Sequence, residues 1–226
     1  HAQSTKLPEG VQPLNGVVGD KHSDGCHVVL RTADKMGNEC NAGGATVVVT
    51  CSNKDVKTSC EDNGDGSYNL AWRSRYCGTS EVSVQIQGVH IKGSPCPLTL
   101  RSTQPDLYKT TIDGEGITKA HAGKDAKFNI YFVDGYNNVS TPGSNLRLGL
   151  CLISEAARKG GLAPNINTVE SHPYKTELIK DGLIEVTYIG TVAGGNELHV
   201  WCDQLEEGPG GGALTPEMAG LKPLPE

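Results

Sequence analysis

Polar and apolar residues alternate along most of this chain in runs too short and too strictly two-fold for helices. In one run Tyr68, Leu70 and Trp72 fall on one side and Asn69, Ala71 and Arg73 on the other, and Val82, Val84 and Ile86 repeat the pattern. A period of two marks a strand with one buried face. The runs are rich in Val, Thr and Ile, and clusters of Gly, Asn and Asp separate them as turns. Short strands at regular spacing predict an all-β fold of packed sheets.

The pattern also repeats. Offsetting the chain by 100 residues sets Gly16 on Gly116, Asp34 on Asp134, Asn38 on Asn138, Gly43 on Gly143 and Cys51 on Cys151 without a gap, and keeps Val28 and Leu30 in phase with Phe128 and Ile130. An offset of 116 then sets Leu70 on Val186, Trp72 on Tyr188, Gly78 on Gly194 and Val84 on Val200. The difference places an insertion in the second copy at about 152–176. Two tandem β-sandwiches follow, at 1–102 and 103–207, with residues 208–226 a Gly/Pro-rich tail or an irregular last strand. The insertion itself predicts a short helix from Ser154 to Lys159 followed by a loop: Ser154 suits the N-cap, Glu155 the first turn, Arg158 and Lys159 the last, and Gly160-Gly161 the stop.

The run Asp62-Asn63-Gly64-Asp65-Gly66-Ser67-Tyr68, then Gly78, then Val82-Ser83-Val84-Gln85-Ile86-Gln87-Gly88, then Ile91-Lys92-Gly93-Ser94-Pro95 closely resembles the second half of a filamin repeat. The second copy is similar through Gly114-Glu115-Gly116-Ile117 and through its fifth and sixth strands, but Glu206-Glu207-Gly208-Pro209 stands where Gly-Ser-Pro should follow. The resemblance implies immunoglobulin-like sandwiches of filamin-repeat type. It also implies a binding module, with the groove between the third and fourth strands as the docking site for an extended peptide. That groove carries over to Thr46, Val48 and Thr50 with Val56 and Thr58. The first domain is the better candidate, because the insertion leaves the corresponding place in the second and would cover its groove.

A net charge of −6 offers no basic stripe for phosphates, which argues against nucleic acid and against an anionic membrane surface. No apolar run is long enough to insert into a bilayer. The chain starts at His1 with neither Met nor a hydrophobic leader, so a processed terminus or a piece of a longer protein is expected. Residues 61–66 look superficially like a calcium loop, but the twelfth position holds Trp72 where an EF-hand needs Glu, and the turn reading is preferred. No spacing of His, Cys, Ser or carboxylates converges on a metal, a cofactor or a nucleophile, so no enzyme is expected. Asn138-Val139-Ser140 has the form of a glycosylation acceptor.

The eight cysteines bear on location. With filamin-type strands assumed, Cys26, Cys51, Cys60 and Cys77 share one end of the first sandwich and are expected to form disulfides within that set, in a pairing left open, while Cys40 and Cys96 share the other end. Cys96 occupies the place of the family's usual Phe, and a Cys40–Cys96 disulfide is expected to restore lost packing. Cys151 and Cys202 map to opposite ends and are not expected to pair. Oxidised cysteines imply an extracellular or cell-surface adhesion protein, resembling the gamete-expressed adhesion proteins of plants and algae. Reduced ones imply the cytoplasmic rod of an actin cross-linking filamin. In both cases the partners are other proteins.

Overall fold

The computed structural model describes residues 1–160, 172–191 and 193–204. The chain divides into two units, His1–Thr103 and Gln104–Glu226.

The first unit holds β1 (Leu14–Val17), β2 (Cys26–Arg31), β3 (Val47–Cys51), β4 (Lys57–Asp62), β5 (Ser67–Arg73), β6 (Gly78–Ile86), β7 (Val89–His90) and β8 (Cys96–Arg101). One sheet runs β1-β8-β6-β3 with β7 on β6, and the other runs β2-β5-β4. The alternation seen in the sequence becomes the core between them: Val28 and Leu30, Tyr68, Leu70 and Trp72, Val82, Val84 and Ile86, and Leu98 and Leu100 are all buried. Burying each such side chain contributes roughly 1.5–3 kcal/mol.

The second unit holds β9 (Thr111–Asp113), α1 (Glu115–Thr118), β10 (Asp125–Tyr131), β11 (Leu146–Ser154), α2 (Glu155–Lys159), β12 (Tyr174–Lys180), β13 (Leu183–Ile189) and β14 (Asn196–Gln204). Its sheets are β12-β13-β10-β9 and β11-β14. Phe128, Ile130, Phe132, Leu150, Val186, Tyr188 and Cys202 form its core. The short helix expected in the insertion is α2, and the Ser154 hydroxyl accepts from the Ala157 N–H at 3.2 Å as its N-cap. The loop expected after it lies outside the described residues.

Several repeated residues have one physical role in both units. A Cβ on Gly16 would meet the Gly25 carbonyl oxygen at 2.4 Å, and one on Gly116 would meet that of Lys127 at 2.5 Å, so both positions need glycine for close backbone approach. Asp34 accepts from the Asn38 N–H and Nδ2 at 3.0 Å each, locking the loop between β2 and β3. Asp134 does the same for Asn138, whose Nδ2 donates at 3.1 and 3.0 Å. Asn138 is thus a buried structural amide. The acceptor reading meets a physical obstacle here, because a glycan replaces one of the two Nδ2 hydrogens of an amide that is buried against Asp134.

The gapless offset of 100 does not survive to its end. Cys51 pairs with Val82, but Cys151 pairs with His199, which the offset of 116 equates with Ser83. A one-residue slip exchanges the two faces of a strand. Leu150, not Cys151, therefore joins the core in β11.

Candidate functional site

The groove between β3 and β4 is formed by two sheet edges. Among the described residues β3 pairs only with β6 and β4 only with β5, so one side of each backbone makes no ladder. Hydrogen bonds fix which residues face it. The Thr46 carbonyl accepts from Gln87 N–H at 3.2 Å, and Ser52 N–H donates to Glu81 at 2.8 Å, so even-numbered residues face β6. By alternation, Val47, Val49 and Cys51 turn their N–H and C=O groups outward. On β4, Asn63 N–H donates to Ser67 at 3.0 Å toward β5, which turns Thr58 and Cys60 outward.

This changes part of the expected residue set. Val48 pairs with Gln85, and Thr46, Val48 and Thr50 are exposed on the outer face of their sheet, away from the gap. Val56 is buried where the turn enters β4, and Thr58 reaches across the gap, its hydroxyl donating to the Val49 carbonyl at 3.3 Å. The residues missed by the sequence reading are Val47, Val49, Cys51 and Cys60. They were accessible to it, since Val47 and Val49 must share the face of their partners Ile86 and Val84.

Carboxylates close one end of the groove. Asp62 accepts from Gly44 N–H at 2.7 Å and Gly64 N–H at 2.8 Å, bonds that hold its carboxyl below the usual range. Tyr68 accepts from Ala45 N–H at 2.8 Å beside it. Asp65 accepts from the Ser67 hydroxyl and N–H, and these bonds lower it likewise. The acidic run at 61–66 thus spends its charges on a turn, as the sequence reading preferred. Among the described residues no three His, Cys, Asp or Glu side chains gather as metal ligands.

In the second unit, chain returning from the insertion bonds to the outer edge of β11. His172 N–H donates to the Leu150 carbonyl at 2.6 Å and the Tyr174 hydroxyl donates to that of Leu148. Among the described residues an apolar groove of about 300 Å³ is lined by Phe132, Leu146, Tyr174, Leu178 and Ile184.

No disulfide joins any of the eight cysteines in the structure. Cys40 sits beyond the Arg31 end of β2, where its N–H donates to the Thr32 carbonyl at 2.9 Å. Cys96 lies in a cross-strand row with Val82 and Cys51. The structure therefore does not bring Cys40 to Cys96. Cys26, at the opposite end of β2, has its thiol pushed up by burial, with Cys96 adding to the shift. Cys51 and Cys96 are two strand spacings apart, about 9.5 Å, beyond the reach of a disulfide without backbone movement. Cys60 is the fourth residue of β4 rather than its opening one, and it and Cys77 are exposed. Cys151 and Cys202 are both buried, and burial pushes Cys202 up to about 12.

Two sheets with mixed ladders, open edges at β3 and β4 and no convergent reactive groups among the described residues define an immunoglobulin-like interaction domain. The model of the filamin/ABP280 repeat matches residues 6–97, so the first domain is a filamin-type repeat and the match ends before the second. Rat filamin-C is 30% identical over 97 residues, which make up 43% of this chain and 3% of filamin-C. The chain thus spans a small fraction of that relative's length. Among solved structures, invasin, a bacterial integrin-binding protein, superposes with a TM-score of 0.60 at 14% identity, covering 90% of this chain and 37% of invasin. The Escherichia coli adhesin FdeC gives 0.60 at 16% identity, covering 99% and 63%. These two likenesses are of fold. No helix among the described residues is long and apolar enough to cross a membrane.

Proposed function

We propose that this chain is a non-enzymatic binding segment of a larger protein, and that its first domain takes an extended peptide as an added strand on β3. The observation that carries this is the outward-facing backbone of Val47, Val49 and Cys51, opposite the Thr58 and Cys60 edge of a second sheet. Main-chain bonds to such an edge give affinity, and the side chains beside it give selectivity. An incoming strand displaces the Thr58 hydroxyl from Val49. The setting we favour is a cell-surface adhesion ectodomain, which the adhesin-like fold of both sandwiches supports. A filamin-type cytoplasmic rod is the second reading, favoured by the 30% identity of the first domain's stretch to filamin-C.

The peptide site is tested by panning a displayed peptide library on the full chain. Val49→Pro removes an outward N–H while leaving the β6 ladder intact, a position where strands tolerate proline. Binders are expected to lose at least tenfold in affinity for this variant and to keep it for Val48→Lys on the outer face. Binding that survives Val49→Pro but is lost on substitution in the second domain overturns the reading. Location is tested separately, by counting free thiols in denaturant on protein isolated from its source: eight favour the cytoplasm, and few favour the surface.

A further inference from the structure

The outer face of the β2-β5-β4 sheet in the first domain carries a hollow. Its floor is Ala71, which points away from the core and is yet only 5% exposed, because longer side chains surround it. His27 and Ser59 flank Ala71 in one cross-strand row, and Val29, Asn69 and Glu61 form the next. Arg73 and His22, from the loop before β2, close the other end, and the hollow measures about 310 Å³. The bonds around Arg73 decide what this hollow offers. Its Nη1 donates to His22 Nδ1 and its Nη2 to Ser59 Oγ, both at 3.3 Å. An imidazole that accepts at Nδ1 carries its proton on Nε2, and a hydroxyl that accepts keeps its own hydrogen to donate. His22 Nε2, Ser59 Oγ and the remaining guanidinium N–H groups are therefore all left as donors. Both acceptors are uncharged, so among the described residues no bonded carboxylate balances the guanidinium. His27 is pinned beside them, its Nε2–H donating to the Asp24 carbonyl at 2.8 Å and its ring packed edge to face on His22 at 6.3 Å. Glu61, one row beyond the floor, is the acidic side chain among the lining residues.

We propose that this hollow binds a carboxylate, presented by an Asp or Glu side chain of a protein partner. Charge and donor count carry the assignment: an unbalanced guanidinium and two neighbours that it turns into donors suit a planar anion, and the fork of Arg73 matches the two carboxylate oxygens. Glu61 selects among anions. It repels a second negative charge, so a monoanion fits where a sulfate or phosphate dianion does not. The lining holds no Trp, Tyr or Phe, and so gives a sugar acid no flat ring to stack on. Val29, 55% exposed at the rim, offers apolar contact to the residues beside the acid. The site uses outward side chains of β2, β5 and β4 and none of the β3 backbone, so it stands whether or not a strand adds to β3. A partner that engages both places gains from their linkage.

The test is an NMR titration of the full chain with three probes: acetyl-aspartate methylamide, N-acetylneuraminate and sulfate. The aspartate probe is expected to shift the Ala71 N–H and the His22 ring signals saturably. Arg73→Gln is expected to weaken this binding at least tenfold. Ala71→Leu, which fills the floor and keeps every charge, abolishes it, and Arg101→Gln on the other sheet leaves it unchanged. Glu61→Gln admits sulfate. Arg73→Gln and Ala71→Leu test the site independently, by charge and by shape, and the Trp72 unfolding midpoint reports that each variant is folded. The absence of a saturable shift, or binding that survives both variants, overturns the proposal. Sulfate bound as tightly as the aspartate probe by the wild type also overturns it, because the hollow is then a general anion trap. Neuraminate bound more tightly than aspartate gives the hollow to a carbohydrate and overturns the choice of partner.

Discussion

Positions 14–17 and 114–117 are equivalent in the repeat, and both carry the glycine that lets them cross close to the second strand. In the first domain they are β1, paired with β8. In the second they fall within and beside α1, which bonds to no described strand on that side. The difference is not in local propensity, since Leu-Asn-Gly-Val and Gly-Glu-Gly-Ile are both poor helix formers. In the first domain the β8 backbone supplies the edge that draws Leu14–Val17 into a parallel ladder.

The sharpest way to break the comparison is to remove the anchor from each side. Leu98 is fully buried in β8 between β1 and β6, so Leu98→Ala is expected to destabilise the first domain by roughly 2–5 kcal/mol. Ile117→Ala, on the equivalent side of the second domain, is expected to cost less, because Ile117 is only partly buried against its core. The two tryptophans make the readout separable, because Trp72 lies in the first domain and Trp201 in the second. Denaturation followed on single-tryptophan backgrounds gives each midpoint. Equal losses at the two sites would mean that the extent of burial does not set the difference between them.

A smaller effect separates the two loop locks. Asp134 is 0% exposed, and its carboxylate holds the N–H groups of Tyr136 and Asn138. Asp134→Ala leaves these donors without their acceptor in a buried place, at a cost of roughly 1–3 kcal/mol. Asp34 makes the same bonds to Met36 and Asn38 from an exposed position, where water replaces them, and Asp34→Ala is expected to move the first midpoint little. If the two variants lose the same stability, the burial argument fails.

How much of this was legible in the sequence depends on the scale of the pattern. Alternation and repeat sufficed for two sandwiches and their core faces, because Leu70, Trp72, Val84 and their counterparts must share one side whatever the loops do. The helix at Glu155–Lys159 was legible from its cap and its stop. Phase across strands was not read. Thr46, Val48 and Thr50 were assigned to the groove although pairing with β6 puts Val47 and Val49 there, and Cys151 was equated with Cys51 across a hidden one-residue slip. A grouping of cysteines by strand end inherits such errors. Cys40 and Cys96 were assigned a shared end from strand order alone, with no knowledge of how far each strand extends before its turn.

The smallest effect concerns acid, and it bears on the turn that closes the groove in the first domain. Asp62 is held below its usual range by the Gly44 and Gly64 N–H groups, and Asp34 by the Asn38 side chain. A carboxylate whose folded value is depressed binds its proton more readily in the unfolded chain. The stability it contributes is therefore present above the unfolded value, about 4, and is lost as pH falls through the folded one. These groups are exposed and well solvated, so the effect is modest. The Trp72 midpoint is expected to drop between about pH 5 and pH 3, and to drop less steeply in Asp62→Asn, which cannot titrate there. An acid slope identical in the variant would mean that the Asp62 carboxylate closes the groove by shape alone, and that its charge adds nothing to the fold.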